Sequence, residues 1–407
     1  MMAREKIFND PVYGFINIPY GVIFDLIEHP YFQRLRRIKQ VSLSHYVYPG
    51  ALHTRFHHAL GAFHLMTQAI GVLRGKGVEI TEEEATAASI AILLHDIGHG
   101  PFSHTLEHTL IEVPHERLSE LFMEALNEEF GGALRLALAI FKDQYPKKFL
   151  HQLVSGQLDM DRMDYLSRDS FFTGVHEGVI GYDRIIKMLA VHDNELVVEE
   201  KGIYSIEKFL VARRLMYWQV YLHKTVVSAE QMLIQVLRRA RYLALKGVEL
   251  PCPPNLWYFI RHAVCEADFE QDGKRLLTSF ASLDDDDVFS AVKSWIHVED
   301  RCLSYLSYGM IHRKLFKLEF SAQPFPAAYV SNLRERLAAW WGGAGSELDY
   351  LLVEGKERNS AYDMDKDEIK ILFKSGEVGP MSESEDFELH ARPVEKYSIW
   401  YPKELMG

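Results

Sequence analysis

One twelve-residue stretch gathers groups that bind metals and move protons. Leu93-Leu94-His95-Asp96-Ile97-Gly98-His99-Gly100-Pro101-Phe102-Ser103-His104 closes an almost uniformly apolar run. A histidine beside an aspartate at the end of a core helix is costly unless the two are paired or bound to a metal. His108 and His115 follow within a dozen residues. A lone imidazole on an apolar face is ordinarily a satisfied core residue. This many beside one carboxylate point to a metal site.

Further ligands have to come from other segments, and two qualify. Upstream lies His53-Thr54-Arg55-Phe56-His57-His58-Ala59-Leu60-Gly61. Downstream lies Leu158-Asp159-Met160-Asp161-Arg162-Met163-Asp164-Tyr165-Leu166-Ser167-Arg168-Asp169. On a helix Asp161, Asp164 and Asp169 share related faces, whereas Asp159 and Asp161 cannot face the same way. One of these carboxylates is a ligand candidate, and the others cap the helix or pair with Arg162 and Arg168. Two imidazoles and two carboxylates make a mixed N/O site that suits one divalent ion: Mn, Fe, Mg, Ni or Zn. Such an ion, with open positions, can activate water and clamp a phosphoryl oxygen. Arg55, Arg162, Arg213 and Lys224 supply cations for phosphate oxygens. His104 and Glu107, at i and i+3, form a proton-donating pair for a leaving oxygen. Tyr165 and Tyr221 can bond phosphate or stack on a sugar. The chemistry implied is hydrolysis of a phosphate ester or anhydride.

The elements that must carry these groups are mostly helical. Asp10-Pro11-Val12-Tyr13-Gly14 reads as a turn and Phe15-Ile16-Asn17-Ile18 as a short strand. From Tyr20 to about Lys246 apolar residues recur at helical spacing. Thr81-Glu82-Glu83-Glu84 is a capping box, and the run from Ala85 to His95 behind it predicts a buried helix. A long helix with a break is expected over 205–246, ended by Gly247. Pro251, Pro253 and Pro254 mark a joint, and 255–320 reads as helical. The run Asp284–Asp287 reads as a helix cap or a solvated face. Residues 349–407 alternate in places, as in Ile369-Lys370-Ile371-Leu372-Phe373 before the Lys374-Ser375-Gly376 turn, and predict a small β-containing lobe.

Composition bounds the rest. The chain has 407 residues, 48% apolar and 25% charged, which are ordinary globular values. No apolar stretch reaches the roughly 20 residues a bilayer needs, and no signal sequence is visible, so a cytoplasmic protein without membrane association is expected. Three cysteines without a CxxC pair argue against a disulfide framework or a structural zinc. A net charge of −12 offers no general attraction to nucleic acid.

At the level of motifs the chain resembles a known family. The order His58, then His95-Asp96, then Asp161 is similar to the H…HD…D signature of HD-domain phosphohydrolases. Four longer segments are similar to the deoxynucleoside triphosphate triphosphohydrolases of that group. They are Asp10-Pro11-x-x-Gly14, Phe32-Gln33-Arg34-Leu35-Arg36-Arg37-Ile38-Lys39-Gln40, the stretch Tyr48–Gly61 and the stretch His95–His104. The match covers about residues 4–240. It implies a mainly α protein: an HD helical core over 1–250, with a helical and β-containing region over 251–407 as a small α+β lobe on that core. No preceding SAM domain is expected.

The resemblance also implies roles. His58, His95, Asp96 and Asp161 would ligate the metal; the motif, not spacing, chooses His58 over His57. Arg55, Arg162 and Tyr165 would hold the triphosphate, with His99 and His104 near the α-phosphate. His104, supported by Glu107, would be the proton donor, and His115 a further active-site histidine. Gln40 and Val41 would lie under the sugar and base. Asp169, Arg213, Tyr221, His223 and Lys224 would make sugar and phosphate contacts. Water would attack the α-phosphorus and the nucleoside 5′-oxygen would leave, giving a deoxynucleoside and inorganic triphosphate.

Some relatives carry a regulatory nucleotide at a subunit interface, so a homo-oligomer, dimer or tetramer, is expected. Here Lys6, Gln33, Arg34, Arg36, Arg37 and Lys39 would lie near that region, unless they form a solvated face. Glu28 stands where the family's guanine-reading aspartate would be. Two rivals remain: another HD activity such as a nucleotidase or alarmone hydrolase, or a non-catalytic HD module that binds nucleotide or nucleic acid. Gly181-Tyr182-Asp183, lacking the Pro of the cyclic-dinucleotide branch, weighs against that branch.

Overall fold

A computed structural model of the chain describes residues 5–359, 368–383 and 394–406. The parts of the expected tail lobe at 360–367, 384–393 and 407 lie outside the described residues. The fold is mainly helical with small sheets. Among the described residues, no helix is long and apolar enough to cross a membrane.

The chain opens with an antiparallel hairpin, β1 (Glu5–Asp10) and β2 (Gly14–Pro19). Asp10 shapes its turn: Oδ1 accepts from the Val12 and Tyr13 N–H groups at 2.9 and 3.0 Å. Three core helices follow, α1 (Arg55–Gly75), α2 (Glu82–Leu94) and α3 (His115–Glu129). Thr81 caps α2 as the sequence predicts, exchanging bonds with Glu84. Every residue of α2 from Ala87 to Leu94 is buried, so the helix delivers His95 and Asp96 from within the core.

Next comes α4 (Met160–Thr173), which packs on α1. The approach is close at Gly61, where a Cβ would stand 1.9 Å from Asp164 Oδ1 and 2.2 Å from an Arg168 nitrogen. Only glycine lets the two helices bring those side chains together there.

The long helix expected over 205–246 is two helices, α5 (Ile203–Met216) and α6 (Lys224–Leu245). A π-helical turn at Tyr217–Tyr221 and an extended His223 separate them. Such wide turns are common at functional sites. Gly247, at φ 84°, ends the segment as expected.

The acidic run 284–287 divides its work. Asp284 caps the helix α7 (Asp285–Trp295), accepting from the Asp286 N–H at 3.0 Å. Asp285 is buried and accepts from the Lys39 and Phe102 backbone N–H groups at 3.0 and 2.7 Å. It therefore ties the C-terminal region to the loop that follows α2.

Besides a two-residue parallel pair, Ile111–Glu112 with Val264–Cys265, the later strands are β3 (Leu189–His192), β4 (Glu195–Glu199), β5 (Lys317–Ser321), β6 (Val353–Asn359), β7 (Lys370–Leu372), β8 (Val378–Pro380) and β9 (Val394–Tyr401). β9 sits between β5 and β6, antiparallel to both. β7 pairs in parallel with β4, with Val198 opposite Ile371. One contiguous buried cluster runs from Ile16 to Leu405.

Candidate active site

Four side chains from three segments converge on one point. His58 enters from the first turns of α1, His95 and Asp96 from the end of α2, and Asp161 from the first turn of α4. His58 Nε2 lies 3.1 Å from Asp161 Oδ1 and 3.4 Å from His95 Nε2. His95 Nε2 lies 3.5 Å from the same Asp161 oxygen. His58, His95 and Asp161 form a group whose ligand atoms lie close enough to hold one ion. Asp96 faces the same point, 3.6 Å from His58 Nε2 and 3.4 Å from His95 Nε2, while its other partners are the Arg55 guanidinium and His99 Nε2, the latter at 3.4 Å.

Each imidazole is held by its second nitrogen. His95 Nδ1 bonds the Ile92 carbonyl at 2.6 Å, and His58 Nδ1 bonds Asp164 at 2.8 Å. Asp164 is fixed in turn by Arg168, which also bonds Asp10 at 2.7 Å. Such outer partners set the tautomer that leaves Nε2 free for a metal. Neighbouring His57 is used elsewhere: its Nδ1 accepts from the Thr54 N–H at 3.2 Å at the start of α1. Asp159 caps α4, accepting from the Arg162 N–H at 2.7 Å.

The charge balance of the cluster fits a cation. Burial disfavours charge on His58, yet Asp161 and Asp164 outweigh it and push its pKa up to about 10. Burial also resists ionisation of Asp161, but the two imidazoles hold its carboxyl well below the usual range. The mixed imidazole and carboxylate donors suit a divalent transition metal or Mg²⁺.

A second group of imidazoles stands beside this cluster. His99 and His115 stack at 3.8 Å, and His104 meets them edge-on at 4.6 and 5.0 Å. Glu107 bonds His104 Nδ1 at 3.0 Å and His115 Nδ1 at 2.8 Å. Burial works against its charge, but those two imidazoles keep the carboxyl far below its usual range. Burial, and then Arg55, keep His99 well below the ordinary histidine value.

The loop carrying these groups is tightly built. Phe102 and Ser103 both take positive φ, 57° and 54°. That turn lets Ser103 Oγ accept from Arg55 Nε at 2.7 Å and donate to the Lys39 carbonyl at 2.9 Å. Gly98 permits contact with α3: a Cβ there would lie 2.2 Å from the His115 carbonyl oxygen. Arg34 crosses underneath, donating to the Ile97 and His99 carbonyls at 2.7 and 2.8 Å. This corrects the expectation that Arg34 belongs to a surface basic run. It is 1% exposed, and burial brings its pKa down to about 9. Arg36 lies over the Phe56 ring, Arg37 pairs with Asp284 and Lys39 with Asp285.

A cavity of about 720 Å³ opens onto the cluster, within the range of ligand sites. Its walls include Gln40, Val41, Arg55, Arg162 and Tyr165. Asp96, Asp161, His99, His104 and His115 also border it. Arg213 and Tyr221 line it, as does Asp169, whose two oxygens are engaged by His53 Nε2 and the Tyr221 hydroxyl, each at 2.7 Å. His223 and Lys224 do not line it. His223 caps α6, accepting from the Thr225 N–H, and Lys224 is exposed with Nζ 5.7 Å from the Phe320 ring. Glu230, Tyr217 and Glu357 also face the cavity, and sequence reasoning missed them. No motif marks them, because they come from the π-turn, the middle of α6 and the tail.

The HD domain family model matches residues 55–169, and the HD associated region matches 180–246. A crystal structure of a phosphohydrolase from Bacteroides thetaiotaomicron superposes with a TM-score of 0.94 at 52% identity, covering 98% of this chain and 100% of that one. The chain belongs to the HD phosphohydrolase family. The uncharacterized protein YwfO of Bacillus subtilis is 31% identical over 100% of this HD chain and 94% of its own length. Human deoxynucleoside triphosphate triphosphohydrolase SAMHD1 is 30% identical over 60% of the chain. The HD chain spans 46% of that protein's length.

Proposed function

We propose that this HD phosphohydrolase cleaves deoxynucleoside triphosphates into a deoxynucleoside and inorganic triphosphate. One observation carries the reading: a single cavity is lined by Asp96 and Asp161 of the His/Asp cluster, by Arg55, Arg162 and Arg213, and by His104, whose Nδ1 is bonded to Glu107. His58, His95, Asp96 and Asp161 would hold one divalent metal, which when bound supplies polarisation of a phosphoryl oxygen and activation of water.

The chain's own residues do the rest. Arg55, Arg162 and Arg213 hold the phosphate oxygens, and Tyr165 closes against them. Water adds at the α-phosphorus, the bond to the nucleoside 5′-oxygen breaks, and triphosphate leaves with its anhydride bonds intact. His104 gives its proton to that 5′-oxygen. Its ring is 68% exposed toward solvent and Nδ1 is fixed on Glu107, so Nε2 is the donating atom. Gln40 and Val41 lie under the sugar, and Asp169 orients Tyr221 beside it. The protein acts in the cytoplasm as a homo-oligomer.

The test is product analysis by anion exchange with Mn²⁺ or Mg²⁺, each dNTP and each rNTP, with and without GTP. Free deoxynucleoside with triphosphate is expected. Orthophosphate or pyrophosphate would move the substrate class to a nucleotidase or pyrophosphohydrolase.

A further inference from the structure

We propose that His53 is a positioning residue: by donating to Asp169 it fixes the carboxylate that seats the Tyr221 hydroxyl on the cavity wall. This deepens the proposed function, in which Asp169 and Tyr221 stand beside the sugar, and rests on it.

Three segments meet in this chain of bonds. His53 precedes α1, Asp169 lies on α4 and Tyr221 ends the π-turn. His53 Nε2 donates to Asp169 Oδ1 at 2.7 Å, and the Tyr221 hydroxyl donates to Asp169 Oδ2 at 2.7 Å. His53 and Asp169 are each 1% exposed. Asp169 and Tyr221 line the cavity and His53 does not. The imidazole therefore acts on a substrate only through Asp169.

Chemistry places the protons. A carboxylate only accepts, so Nε2 carries the proton of His53. Burial, and then the charge of Asp169, hold the Tyr221 hydroxyl well above its usual pKa, so it too is a donor. His53 Nδ1 is buried with no partner among the described residues, which leaves the bond to Asp169 as the ring's one hydrogen bond there. An orphaned buried nitrogen is costly, and an apolar side chain would fill the same space without it. The bond to Asp169 is what the ring supplies in return.

The ring is itself held in place. Phe172, one turn after Asp169 on α4, stacks on it at 4.5 Å and 17°. Gly50 lets the preceding loop press onto the end of α4, since a Cβ there would stand 2.5 Å from the Phe172 carbonyl oxygen. The last torsion of an aspartate is broad, so one donor leaves the carboxylate free to turn. A donor on each oxygen fixes its plane. Without the His53 N–H the carboxylate turns, and the Tyr221 hydroxyl turns with it.

The experiment compares two amides of different reach. Gln at position 53 carries an N–H to where Nε2 stands, whereas Asn stops where Nδ1 stands. The full chain with Mn²⁺ and a dNTP that the wild type turns over is assayed for deoxynucleoside release. His53→Asn is expected to raise KM about tenfold or more, with kcat and metal content retained. His53→Gln is expected to recover most of that loss; His53→Leu replaces His53→Asn if the latter does not fold. In the Asp169→Ala chain, read in single turnovers with enzyme in excess, Asn and Gln at position 53 should differ by less than about twofold, because nothing is left to position. If that chain gives no turnover, the first comparison decides alone. Equal kinetics of Asn and Gln with Asp169 present would overturn the assignment, as would the same difference persisting without Asp169, or a fall in kcat with loss of metal. No deoxynucleoside from the wild type with any dNTP would instead overturn the proposed function, and this inference with it.

Discussion

At the scale of residues, the site separates groups that hold from groups that act. His95→Ala or Asp161→Ala removes a donor from the cluster and should abolish both bound metal, read by elemental analysis, and turnover. His104 touches no member of that cluster directly; its partners are Glu107 and the other two imidazoles. His104→Ala should therefore keep metal and KM while lowering kcat by about 10²–10⁴-fold. Loss of metal in that variant would contradict its role as acid. Asp164 reaches the cluster only through His58 Nδ1. Asp164→Asn should weaken metal affinity by about 10–100-fold, measured by chelator titration. The histidines and aspartates were legible in the sequence because costly groups sat on an apolar helix end. The relay from Asp10 through Arg168 and Asp164 was only half legible. Spacing allows the Asp164–Arg168 pair, but Asp10 lies 158 residues from its partner, and no local pattern announces that contact.

At the scale of elements, three helices decide where the proposed metal donors stand. The start of α2 is secured by Glu84, whose carboxylate takes bonds from the Thr81 N–H, the Tyr145 hydroxyl and Lys147. Burial resists its charge, but those donors push its pKa from 4.5 down to about 2. A carboxyl lowered on folding stabilises the fold above its unfolded pKa, and that contribution fades as pH falls toward the folded value. Glu84→Gln should cost about 1–3 kcal/mol at neutral pH, and the deficit should shrink between pH 4.5 and 2 in denaturant midpoints. The contact of α1 with α4 is the second control. Gly61→Ala drives a methyl into Asp164 and Arg168 and should destabilise by about 1–3 kcal/mol while loosening the metal. Some elements followed from the sequence: the capping box, the buried helix and the strand read at 15–18, found at 14–19, all have local signals. The π-turn at Tyr217–Tyr221 did not, because a one-residue widening leaves the apolar pattern nearly unchanged. Asp285 was read as cap or solvent; its burial depends on Lys39 and Phe102, far away in the chain.

At the scale of the whole molecule, the tail takes part in the site. β9 joins β5 to β6, and β6 carries Glu357 into the cavity. Trp400, 2% exposed on β9, packs where a Cβ on Gly355 would come within 2.8 Å of its ring. Trp400→Ala should cost about 3–5 kcal/mol of stability and raise KM for the substrate with metal content intact. The central claim is the position of bond cleavage, and isotope labelling reads it directly. The HD chain with Mn²⁺ and a dNTP it turns over is incubated in H₂¹⁸O, and the products are weighed by mass spectrometry. One ¹⁸O is expected in inorganic triphosphate and none in the deoxynucleoside. Label in orthophosphate or in a deoxynucleoside monophosphate, with no intact triphosphate, would contradict it.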